Sequence, residues 1–188
     1  MTTVDVLKSL SAVAGVDWAA LERAYATPPR AYHTLEHVLE VARHWAQETW
    51  AQPEQTFRAV LFHDAVYVAG RSDNEQKSAD LSGDDPRVRE LILLTAKHGR
   101  LKPGDVDEEA AKFLDCDMAI LGAEPDAFAL YQQQIAREYE PVVGHDAYVV
   151  GRAKFLRGLL EKERIFLSDR FHARLDARAR DNLRRALK

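Results

Sequence analysis

His63 and Asp64 stand side by side in RAVLFHDAVYVAG, Arg58 to Gly70, a run that otherwise reads as buried helix. Burying an imidazole beside a carboxylate is costly unless something pairs with both. That something is either a hydrogen bond inside an ordinary core or a metal ion. Other residues could meet the doublet. YHTLEHVLEVARHW sets His33 and His37 four residues apart, on one face of a helix that starts early enough. LILLTAKHG ends a helix with His98, and FLDCDMAILG holds Asp115 and Asp117 in another apolar segment. A single histidine in an apolar helix is ordinarily a hydrogen-bonded core residue. The doublet together with His37 before it and Asp117 after it shifts the balance toward a cation, because each lies where burial must be compensated. Mixed imidazole and carboxylate ligands suit Mn, Fe, Co, Ni or Zn without selecting among them. Such a metal brings the pKa of its water toward neutrality and polarises a phosphoryl oxygen.

The elements that must position these groups are helical almost throughout. Val4, Leu7, Leu10, Val13 and Ala14 follow the i, i+3, i+4 rule, and Trp18, Leu21, Ala24 and Tyr25 repeat it. The proline pair in ATPPRAY breaks the chain. Thr34 caps the next helix, with Leu35, Val38, Val41, Ala42 and Trp45 on one face, and Pro53 suits the first turn of the one after. A Gly-, Ser- and Asp-rich stretch follows, with a short helix around Asn74 to Leu81. Further helices are predicted from Asp85-Pro86 through Thr95, over Glu108–Leu121, Pro125–Tyr139 and His145–Leu160, and in the tail. No stretch alternates convincingly as a strand does. The reading is an all-α chain of 188 residues in a single domain, with a core at about 20–125 and C-terminal helices over 125–188.

Bulk properties narrow the partners. A formal net charge of −4 gives no general attraction to nucleic acid or to an anionic membrane surface, and no apolar run is long enough to span a bilayer. One cysteine, Cys116, forbids an intrachain disulfide, and the N-terminal stretch lacks a basic leader; both favour a cytoplasmic address. The arginine-dense tail HARLDARARDNLRRALK could touch nucleic acid or an acidic partner, but Asp176 and Asp181 interrupt its charge. Leu175, Leu183 and Leu187 point to a helix packed on the body with a basic solvated face. Apolar helix faces leave a homodimer open.

HVLEVA, FHDAVY and LDCDMAILG resemble the H…HD…D pattern of the HD-domain superfamily of metal-dependent phosphohydrolases. The resemblance is greatest to a group of small, stand-alone HD phosphohydrolases. It runs through YHTLEH, FHDAVY, NEQKSA, LTAKH, DCDMAILG, YQQQIAREY and GRAKFLRGLLEKERIF, roughly residues 20 to 185. It implies a helical HD-domain fold with a buried metal site and one divalent transition metal per chain. The implied ligands are His37, His63, Asp64 and Asp117, with Asp115 as the alternative to Asp117. It also implies hydrolysis of a nucleotide or another small phosphorylated metabolite by a water that the metal activates. His33 and His98 are the additional ligands of a two-metal variant.

The catalytic acid that several HD enzymes carry one helical turn after the doublet is missing, since that neighbourhood reads Ala65, Val66, Tyr67, Val68. Glu75, in SDNEQKSA, is the nearest replacement as general base, with Asp64 beside it as the second catalytic carboxylate; the plain reading of Glu75 is a first-turn acid of a helix. Phosphate needs cationic or N–H partners. Arg30 and Lys77 are the leading candidates to supply them, with His33 as a third substrate-binding group and Lys97 and Arg100 behind. The rival reading is a non-catalytic HD module that senses a nucleotide, which the missing acid favours and the full ligand set opposes.

Overall fold

The computed structural model describes residues 1–11, 13–27 and 30–188, and helices are its only regular elements among them. The expected break at Pro28-Pro29 lies outside the described residues. The chain forms two compact units, residues 1–97 and 98–188.

The first unit holds α1 (Thr3–Leu10), α2 (Trp18–Tyr25), α3 (Leu35–Trp45), α4 (Pro53–Phe62), α5 (Asn74–Ser82) and α6 (Pro86–Thr95). Their starts follow capping chemistry. Thr2 and Asp5 make a reciprocal capping box on α1, and Asp17, Thr34 and Asp85 accept from first-turn amides of α2, α3 and α6. Helix α4 packs on α3, α5 and α6, and α3 also meets α1. Phe57, Leu61, Leu91, Ile92 and Val38 are sealed in this core. A buried polar link holds α3 to α4: the Trp45 indole donates to the Thr56 hydroxyl at 2.9 Å, which itself donates to the Gln52 carbonyl. That link fixes the helix bearing His37 relative to the one that ends at His63.

The second unit holds α7 (Glu108–Met118), a 3₁₀ turn over Ala119–Gly122, α8 (Pro125–Val143), α9 (His145–Glu161) and α10 (Asp169–Ala186). Helices α8 and α9 form a hairpin, and α10 lies against the 3₁₀ turn. Phe113, Leu114, Phe166, Phe171 and Leu183 fill the core.

Three boundaries differ from the sequence-based ones, each for a local reason. Helix α1 stops at Leu10, so Val13 is buried without being helical. Helix α3 begins at Leu35 with Thr34 as its cap, as the sequence indicates, which leaves His33 outside the helix that carries His37. Helix α7 tightens into the 3₁₀ turn at Ala119 instead of continuing to Leu121. Helix α8 runs through Pro141 to Val143: proline forfeits one amide but its own φ is helical, and the helix ends only at Gly144, whose φ is 84°.

Gly122 sits where no side chain fits. An added Cβ would lie 2.7 Å from the Leu175 Cβ and 3.0 Å from the Leu175 carbonyl oxygen, which belong to α10. Overpacking of this kind costs about 1–3 kcal/mol. Gly122→Ala should therefore lower Tm by roughly 2–4 °C per kcal/mol lost. An unchanged melting curve would show that α10 can slide away from the turn.

Candidate metal centre

His63 closes α4 rather than lying inside a helix: its amide bonds the Ala59 carbonyl at 2.9 Å, and the chain then turns through Asp64. Its ring Nδ1 lies 2.9 Å from the Val60 carbonyl, which can only accept. Nδ1 therefore donates to that carbonyl, which turns Nε2 toward the neighbouring polar groups. That Nε2 is 3.1 Å from the Nε2 of His37, on α3, and 3.2 Å from Oδ2 of Asp64; His37 Nε2 to Asp64 Oδ2 is 3.6 Å. Both imidazoles are buried, and Asp64 is mostly so. Burial alone pushes the Asp64 carboxyl up, but His63 beside it, with His33 and His37 nearby, holds it well below the ordinary carboxylate value.

The donor set suits a cation. Ligand bonds of about 2.0–2.2 Å to nitrogen and oxygen separate neighbouring ligand atoms by roughly 3.0–3.5 Å, close to the three distances above. His37 and His63 belong to a group of donors that could hold a metal ion. A hydrogen bond held by Nδ1 on a backbone carbonyl is the usual support for a metal-binding imidazole, and Val60 supplies it.

The remaining site residues of the first unit are placed as follows. The His33 ring stacks on Tyr67 at 3.9 Å between centroids, and the Tyr32 ring lies 4.6 Å from that of His37. Arg30 turns inward: its guanidinium donates to the carbonyls of His33, Asp64 and Ala65 at 2.8–2.9 Å, over the face of Tyr25. It thus clamps the doublet's backbone to the His33 segment. Lys77 ion-pairs with Asp73 at 2.9 Å on the surface, where Arg71 and then Lys77 bring the Asp73 carboxyl down to about 2. Glu75 lies in the first turn of α5.

That turn is pinned to the segment after the doublet. The Ser78 hydroxyl accepts from the Val66 amide and donates to the Val66 carbonyl, while Asn74 bonds the amide and carbonyl of Val68. Asn74, Ser78, Tyr67 and the clamping role of Arg30 escaped the sequence reading. Two of them stand inside NEQKSA, so the segment was visible and the roles of its polar residues were not.

In the second unit, α7 separates its two aspartates by function. Asp115 is buried and accepts from the amides of Leu167 and Ser168, both at 2.7 Å, and from the Ser168 hydroxyl. Burial pushes its carboxyl up to about 6 against the pull of those bonds. It fastens the start of α10, and both of its oxygens are engaged there. Asp117 projects elsewhere, with Oδ2 3.0 Å from His98 Nε2. Lys162 holds the loop that follows His98, donating to the Leu101 carbonyl at 2.7 Å. His145 is exposed, and His172 pairs with Asp176.

Compared with protein families, curated proteins and solved structures, the chain matches none. No helix among the described residues is long and apolar enough to cross a membrane.

Arg30→Met tests the clamp. Removing three charge-assisted bonds from a half-buried guanidinium should cost at least about 2 kcal/mol. Stabilisation of the chain by inorganic phosphate should be the same in wild type and variant. Loss of the phosphate effect in the variant would return Arg30 to the substrate-binding role.

Proposed function

We propose that this chain is a metal-dependent phosphohydrolase acting on a nucleotide or another small phosphorylated metabolite. The observation that carries the reading is the convergence of His37 Nε2, His63 Nε2 and the Asp64 carboxylate in a buried place, with the His63 ring oriented by its bond to the Val60 carbonyl. These residues would hold one divalent transition metal. Asp117 is the fourth ligand that the resemblance of LDCDMAILG implies, on sequence grounds alone.

When bound, the metal would make water acidic enough to serve as a nucleophile near neutral pH and would offset charge on the phosphoryl group. The chain's own residues have distinct tasks in this reading. Arg30 keeps the doublet's backbone in register. Glu75, on a turn anchored beside Val66 and Val68, accepts the water's proton. His33, stacked on Tyr67, and Lys77 orient the phosphate. One observation favours a two-metal version: His98 and Asp117 bring a second imidazole–carboxylate pair within 3.0 Å.

Metal content after purification without added metal or chelator tests this. Wild type should carry close to one equivalent, and the His63→Ala/Asp64→Ala variant none. The wild-type protein should then release phosphate from at least one member of a panel of nucleotides and sugar phosphates. About two equivalents would support the two-metal version. A wild-type chain that stays empty after incubation with Mn, Co, Ni or Zn would sink the hydrolase.

A further inference from the structure

The second unit carries a groove of about 860 Å³ between α8, α9 and the end of α10. That volume is in the range of sites for small organic molecules. Phe128 and Leu156 form a buried apolar floor, and Ala136 and Ala153 leave the walls open. Into this setting α9 projects Arg152. Its guanidinium lies 4.9 Å from the Tyr131 ring centroid and 5.1 Å from that of Phe155, and its Nε donates to Gln132 at 2.8 Å. The side chain is thus oriented from two sides. Its Nη2 is buried and has no hydrogen-bond partner among the described residues. A buried donor on a charged group is expensive to leave unsatisfied, and guanidinium geometry matches carboxylate and phosphate. The rim adds Arg157, Arg185 and Lys188 against a single acid, Asp126.

The geometry points to a second binding site, separate from the metal centre, for a small amphipathic anion: an apolar body on the Phe128–Leu156 floor and one anionic head on Arg152. The site neither uses nor requires the hydrolase reading. Charge selects the head, because the groove offers several cations and one carboxylate. Size selects a single molecule, because the groove accommodates a body of two or three rings or a medium acyl chain.

The test uses two fluorescent probes of similar shape on the full chain: anionic 1-anilinonaphthalene-8-sulfonate and neutral N-phenyl-1-naphthylamine. Wild type should bind one equivalent of the anion saturably, with unchanged near-ultraviolet circular dichroism. Arg152→Met keeps the apolar stem and should weaken the anion at least about tenfold, the loss of one charge-assisted bond, while the neutral probe binds as before. Arg152→Lys should recover part of the anion affinity. Ala153→Phe fills the groove and should abolish both probes. Equal anion binding by wild type and Arg152→Met, binding of several equivalents without saturation, or retention of both probes by Ala153→Phe would each overturn the proposal. Should Arg152→Met lose its fold, Ala153→Phe and Arg152→Lys decide alone.

Discussion

Asp115→Ala will destabilise the protein by about 2–5 kcal/mol, a large share of the roughly 5–15 kcal/mol available to a domain. The carboxylate receives three donors from the start of α10, and two of them are backbone amides with nowhere else to turn. Removing it strands the Leu167 and Ser168 amides in a place sealed by Phe166 and Phe171. Relief of a desolvated charge offsets part of the loss, since burial already pushes this carboxyl up to about 6. Asp115→Asn will recover little: one of its two polar atoms becomes a donor facing a donor. Chemical denaturation measures both variants. A loss below about 1 kcal/mol for the alanine would show that solvent reaches the α10 start and replaces the carboxylate.

The second large effect separates what His63 does for the fold from what it does for a cation. In chelator, His63→Ala will shift Tm only modestly, because the ring bonds the Val60 carbonyl through Nδ1 while its Nε2 faces the His37 ring and the Asp64 carboxylate, the atoms that would share a cation. With Mn or Zn at a hundred times the dissociation constant, wild type gains about 2.7 kcal/mol by mass action, and the variant gains almost nothing. Loss of a ligand should exceed the roughly 10–100-fold loss in affinity that follows removal of a supporting partner. Differential scanning fluorimetry with and without metal reads the difference. Equal metal-induced shifts in the two proteins would remove His63 from the ligand set.

The helical class and most boundaries were legible because they rest on local chemistry: apolar spacing on α3 and α4, prolines at the first turns of α4, α6 and α8, side-chain caps at Thr34 and Asp85. The errors came where two local signals compete. The sequence-based end of α8 at Tyr139 falls short, because near the end of a long helix the fixed φ of Pro141 allows another turn. His63 reads as helical because apolar residues flank it, yet it caps α4 one residue past its end at Phe62. At the site, residue types were legible and directions were not. Asp115 and Asp117 look equivalent in DCD, but two positions on a helix face nearly opposite ways, and one binds α10 while the other meets His98. Arg30 was legible as a cation. That its guanidinium is occupied by three carbonyls depends on contacts with residues more than thirty positions away. Asp176 seemed only to dilute a basic tail; it is buried, holding Arg180 and the Ile165 amide.

The link between α9 and α10 lacks helix yet behaves as core. Ile165, Phe166 and Leu167 are buried, Asp115 and Asp176 hold its amides, and Arg180 caps the carbonyls of Lys162 and Glu163. The loop ahead of α7, Lys102 to Asp105, is by contrast exposed. Anyone grafting a tag, splitting the chain or choosing new termini should open it there. Lineages that lengthen this chain should do so at the same place, because tolerance of insertion follows the backbone's burial and bonding rather than the mere absence of helix.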